Sequence, residues 1–301
     1  MSWLRKMIGN GGLLKMKAKP FNEGKSCDAL IRYLETENGV ARSNLRSPER
    51  DRHKNPVELI WGLGEQLYAL EHTGIEPFKG FIEQGADWAR HFDPIKAALR
   101  GIHPDEVVHL HVPAKAMQDL KKWEIRRAQM TIIEWAKRIL PTLPLRGYGN
   151  TRLPHTESPA NLPFPVSMFR FESRAEAAGS VEIVNFVEGL ELAREDRLRT
   201  TCEKKFPKLH AWKSEEQART ILLLEDNDIQ LTNHVVVAET FKRLAMERRD
   251  RPDETYLITT CTGTWYVWPL LIDDISLLDP KYCEQRAWEA DPASLQNLTG
   301  R

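Results

Sequence analysis

The sequence contains no apolar run near the length of about 18 residues that a membrane-spanning helix requires. Its first residues are apolar only in scattered positions, interrupted by Gly and Lys, with no apolar block before a cleavage pattern. The four cysteines include no C-x-x-C pair, which disfavours a disulfide framework or a zinc knuckle. These absences predict a cytoplasmic protein with no membrane partner and with buried or idle thiols.

Neither sign of charge is in excess, because 43 Lys and Arg residues balance 43 Asp and Glu residues. A basic field over the whole protein, of the kind that captures nucleic acid, is therefore absent, although local patches remain possible. There is no G-x-x-x-x-G-K-[ST] sequence, which excludes a phosphate-loop NTPase. There is also no G-x-S-x-G, so a hydrolase of the nucleophile-elbow type has no support.

The pattern of elements predicts an α/β protein built on one mixed sheet flanked by helices. Residues 1–25 are basic and weakly periodic, so we interpret them as an arm, and residues 26–301 as a single mixed α/β domain. A proline-rich stretch at 141–165 is the best candidate for a long loop or internal linker. The runs TILLLED and TYLITT, with a helical pattern between them, favour a parallel βαβ unit.

Several local expectations accompany this fold. A helix begins at Ser26, which can cap it, and ends at Gly39. The polar segment 43–56 is expected to be a loop, and a charged helix is expected from about 189 to 205. The last 25 residues have a loosely helical pattern.

Two runs rich in β-formers, VELIWGL and QLYALEHT, predict a hairpin with Gly64 and Glu65 as its loop residues. In that register Leu63 pairs with Gln66, and Glu58 lies directly across from Glu71 on one face. Like charges at this spacing destabilise a sheet. A bound cation, a nearby Lys or Arg, or a shared proton must therefore offset the repulsion.

The hairpin resembles the PD-(D/E)XK nuclease superfamily. The matching pieces are Pro56-Val57-Glu58 on one strand and Glu71-His72-Thr73 on the next, and the resemblance covers roughly residues 26–80. It implies a restriction-endonuclease-like core with insertions, in which Glu58 and Glu71 bind Mg²⁺ or Mn²⁺. It also implies that a glutamate on the preceding helix, Glu35, is an auxiliary acid.

What the resemblance implies about activity is metal-dependent phosphodiester hydrolysis of DNA or RNA. Two departures from the pattern stand in this sequence: Val57 separates Pro56 from the first acid, and Thr73 occupies the catalytic site where the superfamily usually has Lys. Because Thr carries no positive charge, another residue such as His72 or Lys54 would have to supply it. The alternative function is a non-catalytic binding or interaction module that keeps a nuclease-like fold, with the two glutamates paired to Lys or Arg.

The helical segment from Arg194 to Lys213 carries seven basic residues against three acidic ones. Such a patch could follow a phosphate backbone, with Arg197, Lys204, Lys205 and Lys208 as the nucleic-acid-binding residues. A solvated helix face explains the same composition.

Two further groups of residues could form sites. Glu225, Asp226 and Asp228 cluster at the carboxyl end of a strand, where α/β proteins often place their sites, although a polar loop that caps the next helix is the favoured explanation. His109 and His111 share a strand face and could ligate a metal, but no third His or Cys lies near them in the sequence. A histidine pair on a strand surface with no ligand is the simpler interpretation.

Overall fold

The computed structural model describes most of the chain. The described residues are 21–76, 81–146, 154–172, 178–187, 189–228, 234–273, 275–276 and 287–299. They divide into two compact units: an inserted unit, residues 80–188, and a flanking unit, residues 20–79 together with 189–301. The single domain over 26–301 stays a prediction beside these two units. The stretch 141–165 lies inside the inserted unit and is not the boundary.

The secondary structure of the described residues is mixed. The helices are α1 (Glu23–Asn38), α2 (Phe81–Leu99), α3 (Lys122–Ile139), α4 (Leu190–Glu216) and α5 (His234–Met246), with a 3₁₀ turn at Leu140–Thr142. The strands are β1 (Arg42–Arg46), β2 (Leu59–Leu63), β3 (Gln66–Gly74), β4 (Glu106–Pro113), β5 (Leu145–Arg146), β6 (His155–Glu157), β7 (Val166–Glu172), β8 (Val181–Phe186), β9 (Arg219–Asp226), β10 (Glu254–Thr259), β11 (Trp265–Ile272), β12 (Ile275–Ser276) and β13 (Trp288–Ala290).

The flanking unit is built on a mixed sheet in the order β1-β2-β3-β9-β10-β11-β12, with β13 paired to β11. The strands β1, β2 and β3 form an antiparallel meander. The strand β9 is parallel to both β3 and β10, and β11 is antiparallel to β10. The predicted βαβ unit is confirmed as β9-α5-β10, and the prediction of an α/β protein with helices beside mixed sheets is confirmed as well.

Helix α1 packs on one face of this sheet because its apolar stripe meets the alternate strand residues that point to that side. The buried cluster there includes Leu30, Ile31 and Leu34 of α1 with Leu59, Trp61, Leu63, Leu70, Ile221, Leu223, Tyr256 and Ile258 of the strands. Helix α4 lies against β3 and β9 and also packs on α5. There the Phe206 and Phe241 rings meet edge to face, with centroids 6.1 Å apart.

The hairpin β2–β3 has the predicted register. Leu63 pairs with Gln66 and Leu59 pairs with Leu70. Gly64 has φ +60°, the left-handed region that the primed hairpin turns require at this position. Trp61 and Tyr68 stand directly across from each other and stack with ring centroids 5.3 Å apart. A cross-strand aromatic pair of this kind holds the register that places Glu58 opposite Glu71.

The inserted unit has its own sheet and its own buried core. Its strands run in the order β5-β7-β4-β8, with β6 paired to β7, so the described residues form two mixed sheets where the sequence predicted one. Helices α2 and α3 bury Phe92, Ile95, Ile132 and Trp135 with alternate residues of β4, β7 and β8. Each unit thus buries its own apolar surface.

Four local expectations differ from the structure. Helix α1 begins at Glu23, after Asn22, so Ser26 lies inside the helix and does not cap it. The segment expected to be a loop contains β1, a polar edge strand whose side chains are mostly exposed. Helix α4 continues to Glu216, well beyond the expected end near 205, because Phe206, Leu209 and Trp212 keep its buried stripe going. In the described part of the last 25 residues there is a short strand, Trp288–Ala290, rather than a helix. No helix among the described residues is long and apolar enough to span a membrane.

The positive φ of Gly64 leads to a stability prediction. Replacing Gly64 by Ala should destabilise the protein by about 1–2 kcal/mol, because an L-residue with a Cβ is strained in the left-handed region. Gly263 is a matched control, since its φ is not in that region and a Cβ there would meet open space. Urea unfolding of both variants measures the difference. Equal midpoints for the Gly64→Ala and Gly263→Ala proteins would contradict the turn assignment.

Candidate functional site

Glu58 and Glu71 converge in the flanking unit, between the hairpin and helix α4. Glu58 directly precedes β2, and the pairing of Leu59 with Leu70 places it across from Glu71 of β3. Glu71 is fully buried and Glu58 is 8% exposed. The charges of the two carboxyl groups act on each other's pKa. The hairpin therefore brings two acids together in the interior, as its register predicts.

Two lysines of α4 face this pair. The Nζ of Lys205 donates hydrogen bonds to Glu58 Oε1, at 2.9 Å, and to Glu71 Oε2. Lys208 Nζ lies 3.2 Å from Glu71 Oε1. The side chain of Lys205 is 19% exposed and that of Lys208 is 39% exposed. Lys205 thus lies deeper and is the lysine that contacts both acids.

The two acids do not ionise alike. Burial and the negative charge of Glu58 raise the pKa of Glu71 to about 8. Burial alone would raise the pKa of Glu58, but its interactions with Glu71 and with the positive charge of Lys205 outweigh burial and lower it. The pKa of Lys205 is raised, since the two glutamates outweigh the effect of its own burial. Of the two acids, Glu71 is therefore the one that holds a proton more readily, and Glu58 is the one that Lys205 holds as a carboxylate.

One carboxyl oxygen of the Glu58–Glu71 pair lacks a hydrogen-bond donor among the described residues. Glu58 Oε2 is buried and receives no hydrogen bond from an N–H or hydroxyl group in the described part of the chain. Of the three ways to offset the repulsion, the structure contains a nearby lysine. The raised pKa of Glu71 favours a bound proton as a second one.

The structure does not bring Glu35 to this pair. Glu35 accepts hydrogen bonds from the backbone N–H of Arg42, at 2.8 Å, and from its Nε, at 2.9 Å. Helix α1, which carries Glu35, packs on the face to which Leu70 points, whereas Glu71 points to the opposite face. The role of auxiliary acid is corrected for that reason. Thr73 follows Glu71 by two residues on β3 and shares its face.

Neither residue suggested as a substitute for the missing lysine reaches the acids. His72 points to the other face, where its Nε2 lies 2.9 Å from Glu225 Oε2. Lys54 is 71% exposed and pairs with Glu215 at 2.8 Å. Sequence reasoning missed Lys205 in this role, although it counted Lys205 in the basic helix. The sequence feature that could have identified Lys205 is its position on α4, directly before Phe206, which is buried.

Glu225 is a structural acid. It is fully buried and accepts hydrogen bonds from the backbone N–H of Asn22, from Ser26 Oγ and from Thr260 Oγ1, each at about 3 Å, in addition to its contact with His72. These bonds lower its pKa against the effect of its burial. They tie the first turn of α1 to the carboxyl ends of β3, β9 and β10. We therefore interpret Glu225 as a structural residue that connects these elements, rather than as a catalytic or ligand-binding residue.

The histidines of β4 pack against phenylalanines. The rings of His109 and His111 have centroids 6.5 Å apart, and His109 contacts Phe171 edge to face at 4.7 Å. Burial lowers the pKa of His109 to about 4. In the described part of the chain no group of three or more His, Cys, Asp or Glu side chains is placed to hold a metal ion. These contacts favour the interpretation that His109 and His111 are packed residues of the strand surface rather than metal ligands.

The basic residues of α4 do not form one continuous surface. Arg194 is 2% exposed and Arg197 is half-buried. Arg199 pairs with Glu195 at 3.1 Å. Of the four predicted nucleic-acid-binding residues, Lys204 is exposed, whereas Lys205 belongs to the glutamate pair. Internal ion pairs account for part of the charge that suggested a phosphate track.

The donor set fits a divalent cation of the Mg²⁺ class. Mg²⁺ is usually held by one or two carboxylates, with waters and phosphate oxygens as its other ligands. Glu58 and Glu71 supply two hard oxygen donors, one of them the buried Oε2 that receives no N–H or hydroxyl donor in the described residues. The protein would therefore contribute two carboxylates, and solvent or substrate would complete the coordination.

Comparison of the chain with protein-family models, with curated proteins and with solved structures returns no match.

The raised pKa of Glu71 predicts an unusual pH dependence of stability. Because the folded protein holds this proton up to about pH 8 and the unfolded chain releases it near 4.5, stability from this group is lost as the pH rises between those values. Glu71→Gln should therefore become more stable than the wild type over this range, by at most about 1.4 kcal/mol per pH unit. Urea unfolding of the metal-free proteins at several pH values measures the difference.

The control for this prediction is Glu65→Gln, which removes an exposed carboxylate from the turn of the same hairpin. It should follow the wild type at every pH. A Glu71→Gln protein that is less stable than the wild type from pH 5 to 8 would contradict the shared proton. That result would mean that Glu71 is held as a carboxylate by Lys205 and Lys208.

Proposed function

We propose that the flanking unit carries a divergent nuclease-like site that hydrolyses phosphodiester bonds of DNA or RNA with Mg²⁺ or Mn²⁺. The observation that carries the proposal is the convergence of Glu58, Glu71 and Lys205. Metal-assisted hydrolysis needs carboxylates to hold the cation and positive charge near the phosphate. Both kinds of group meet here, from three separate segments of the chain.

The arrangement of elements supports the same proposal. Helix α1 precedes the hairpin, β9 extends the sheet beside β3, and α4 covers the face that carries the two acids. A core of the restriction-endonuclease type, with the inserted unit placed after β3, is compatible with this order. Lys205 also compensates for Thr73, since it delivers from a helix the charge that the strand lacks.

The roles of the residues follow from their chemistry. When bound, a divalent cation would polarise the phosphate and acidify a water molecule. Glu58 and Glu71 would hold it, while burial beneath α4 limits the access of competing solvent. Lys208, which is more exposed than Lys205, is the lysine better placed to meet an incoming phosphate group. A nucleic acid supplies phosphates of the required charge.

A non-catalytic binding or interaction module is the second candidate. It is favoured by Thr73 and by the lack, among the described residues, of a third acidic or histidine ligand beside the pair. In that case Lys205 would be a permanent partner of the two glutamates, and the cluster would serve stability alone. Replacing such a buried ion pair by apolar residues is often neutral for stability.

The test that separates the candidates is cleavage. Labelled single- and double-stranded DNA and RNA, incubated with the protein and Mg²⁺ or Mn²⁺, should include a substrate that is cut, and chelation should stop the reaction. Glu71→Gln should lower the rate by more than about 100-fold, because partners that merely support a metal ligand already contribute 10- to 100-fold. Glu65→Gln, with the same loss of charge at an exposed position, should cut as the wild type does.

Two outcomes count against the enzyme. Absence of cleavage in wild type and variants, with every substrate and both metals, would favour the module. Cleavage that survives in Glu71→Gln would place the active site elsewhere in the chain.

A further inference from the structure

The ammonium of Lys205 lies where a cation held by Glu58 and Glu71 would lie. It contacts both carboxyl groups, and its side chain is 19% exposed. Glu58 Oε2, beside it, is buried without an N–H or hydroxyl donor in the described residues. The ammonium of Lys205 therefore fills a position in which the carboxylate oxygens could hold a divalent cation. It leaves Glu58 Oε2 without a hydrogen-bond donor in the described residues.

Lys205 can leave this position without a change in the backbone. A lysine ammonium stands on a flexible four-carbon stem with independent torsions. The neighbouring Phe206 and Leu209 are buried and anchor this part of helix α4 independently of the lysine side chain. Lys208 is a weaker candidate for the same role, because it contacts Glu71 alone, at 3.2 Å.

We propose that Lys205 is an exchangeable internal counter-ion: its ammonium leaves Glu58 and Glu71 when a divalent cation binds there, and then contacts the phosphate of the substrate. The exchange requires only a metal site at this pair. The contact with phosphate rests on the proposed function and makes Lys205 a catalytic residue, the one that Thr73 does not supply.

Manganese binding, followed by the loss of the free Mn²⁺ signal in electron paramagnetic resonance, tests the exchange. Lys205→Met removes the competing ammonium and should bind Mn²⁺ about 10- to 100-fold more tightly than the wild type, the factor that corresponds to one charge-assisted hydrogen bond of about 1.5–3 kcal/mol. Lys242→Met, an exposed lysine on α5, should bind as the wild type does. Glu71→Gln should lose the binding.

A second measurement uses the unmodified chain, so it decides the matter even if Lys205→Met does not fold. Acetylation of lysines with an amine-reactive ester, read by mass spectrometry, should increase severalfold at Lys205 when Mn²⁺ is added. Labelling of Lys242 should not change. Equal labelling of Lys205 with and without Mn²⁺, or equal Mn²⁺ affinity of the wild type and Lys205→Met, would overturn the exchange.

Cleavage assays separate this inference from the proposed function. Tighter Mn²⁺ binding by Lys205→Met, in a protein that cuts nothing, supports the exchange and rejects the nuclease. If the wild type cuts a substrate, Lys205→Met should bind metal and fail to cut it. Cleavage by Lys205→Met at the wild-type rate would overturn the catalytic role of Lys205.

Discussion

Two buried carboxyl groups held together against their mutual repulsion are the constraint on which the rest of the flanking unit depends. Their separation is set by the hairpin register, and their charge is balanced by Lys205, which arrives from a helix 134 residues later in the chain than Glu71. Helix α4 must therefore stay aligned with the hairpin. A hydrogen bond of 2.8 Å from Trp212 Nε1 to the carbonyl of Asn55 connects a later part of α4 to the segment that precedes β2.

The parts of the fold that follow from local rules could be predicted from the sequence. The hairpin was predictable because a glycine turn and alternating β-formers define one register, and the βαβ unit because an apolar strand, a helix and a strand follow in order. The strand β1 was missed because its residues, RSNLR, are polar and mostly exposed at a sheet edge. The insertion was missed because its boundaries lie at ordinary sequence, whereas the proline-rich stretch drew attention to the wrong place.

The candidate site was predictable only in part, for a physical reason. Opposed residues in a hairpin are a local consequence of register, so Glu58 and Glu71 could be placed together. Partners from distant segments depend on packing, which the sequence does not reveal: Glu35 faces the other side of the sheet, and Lys205 takes the place expected for Lys54 or His72. Composition favoured a basic surface on α4, although much of that charge is used in internal ion pairs.

The central claim is that the Glu58–Glu71 pair is a cation site which Lys205 occupies in the absence of metal. Anomalous diffraction from crystals grown with Mn²⁺ tests it most directly. We predict a manganese peak within coordination distance of both carboxylates, about 2.0–2.6 Å for hard cations with oxygen ligands, with the ammonium of Lys205 displaced from them. Crystals at saturating Mn²⁺ with no peak at the pair, and with Lys205 still bonded to both glutamates, would contradict it.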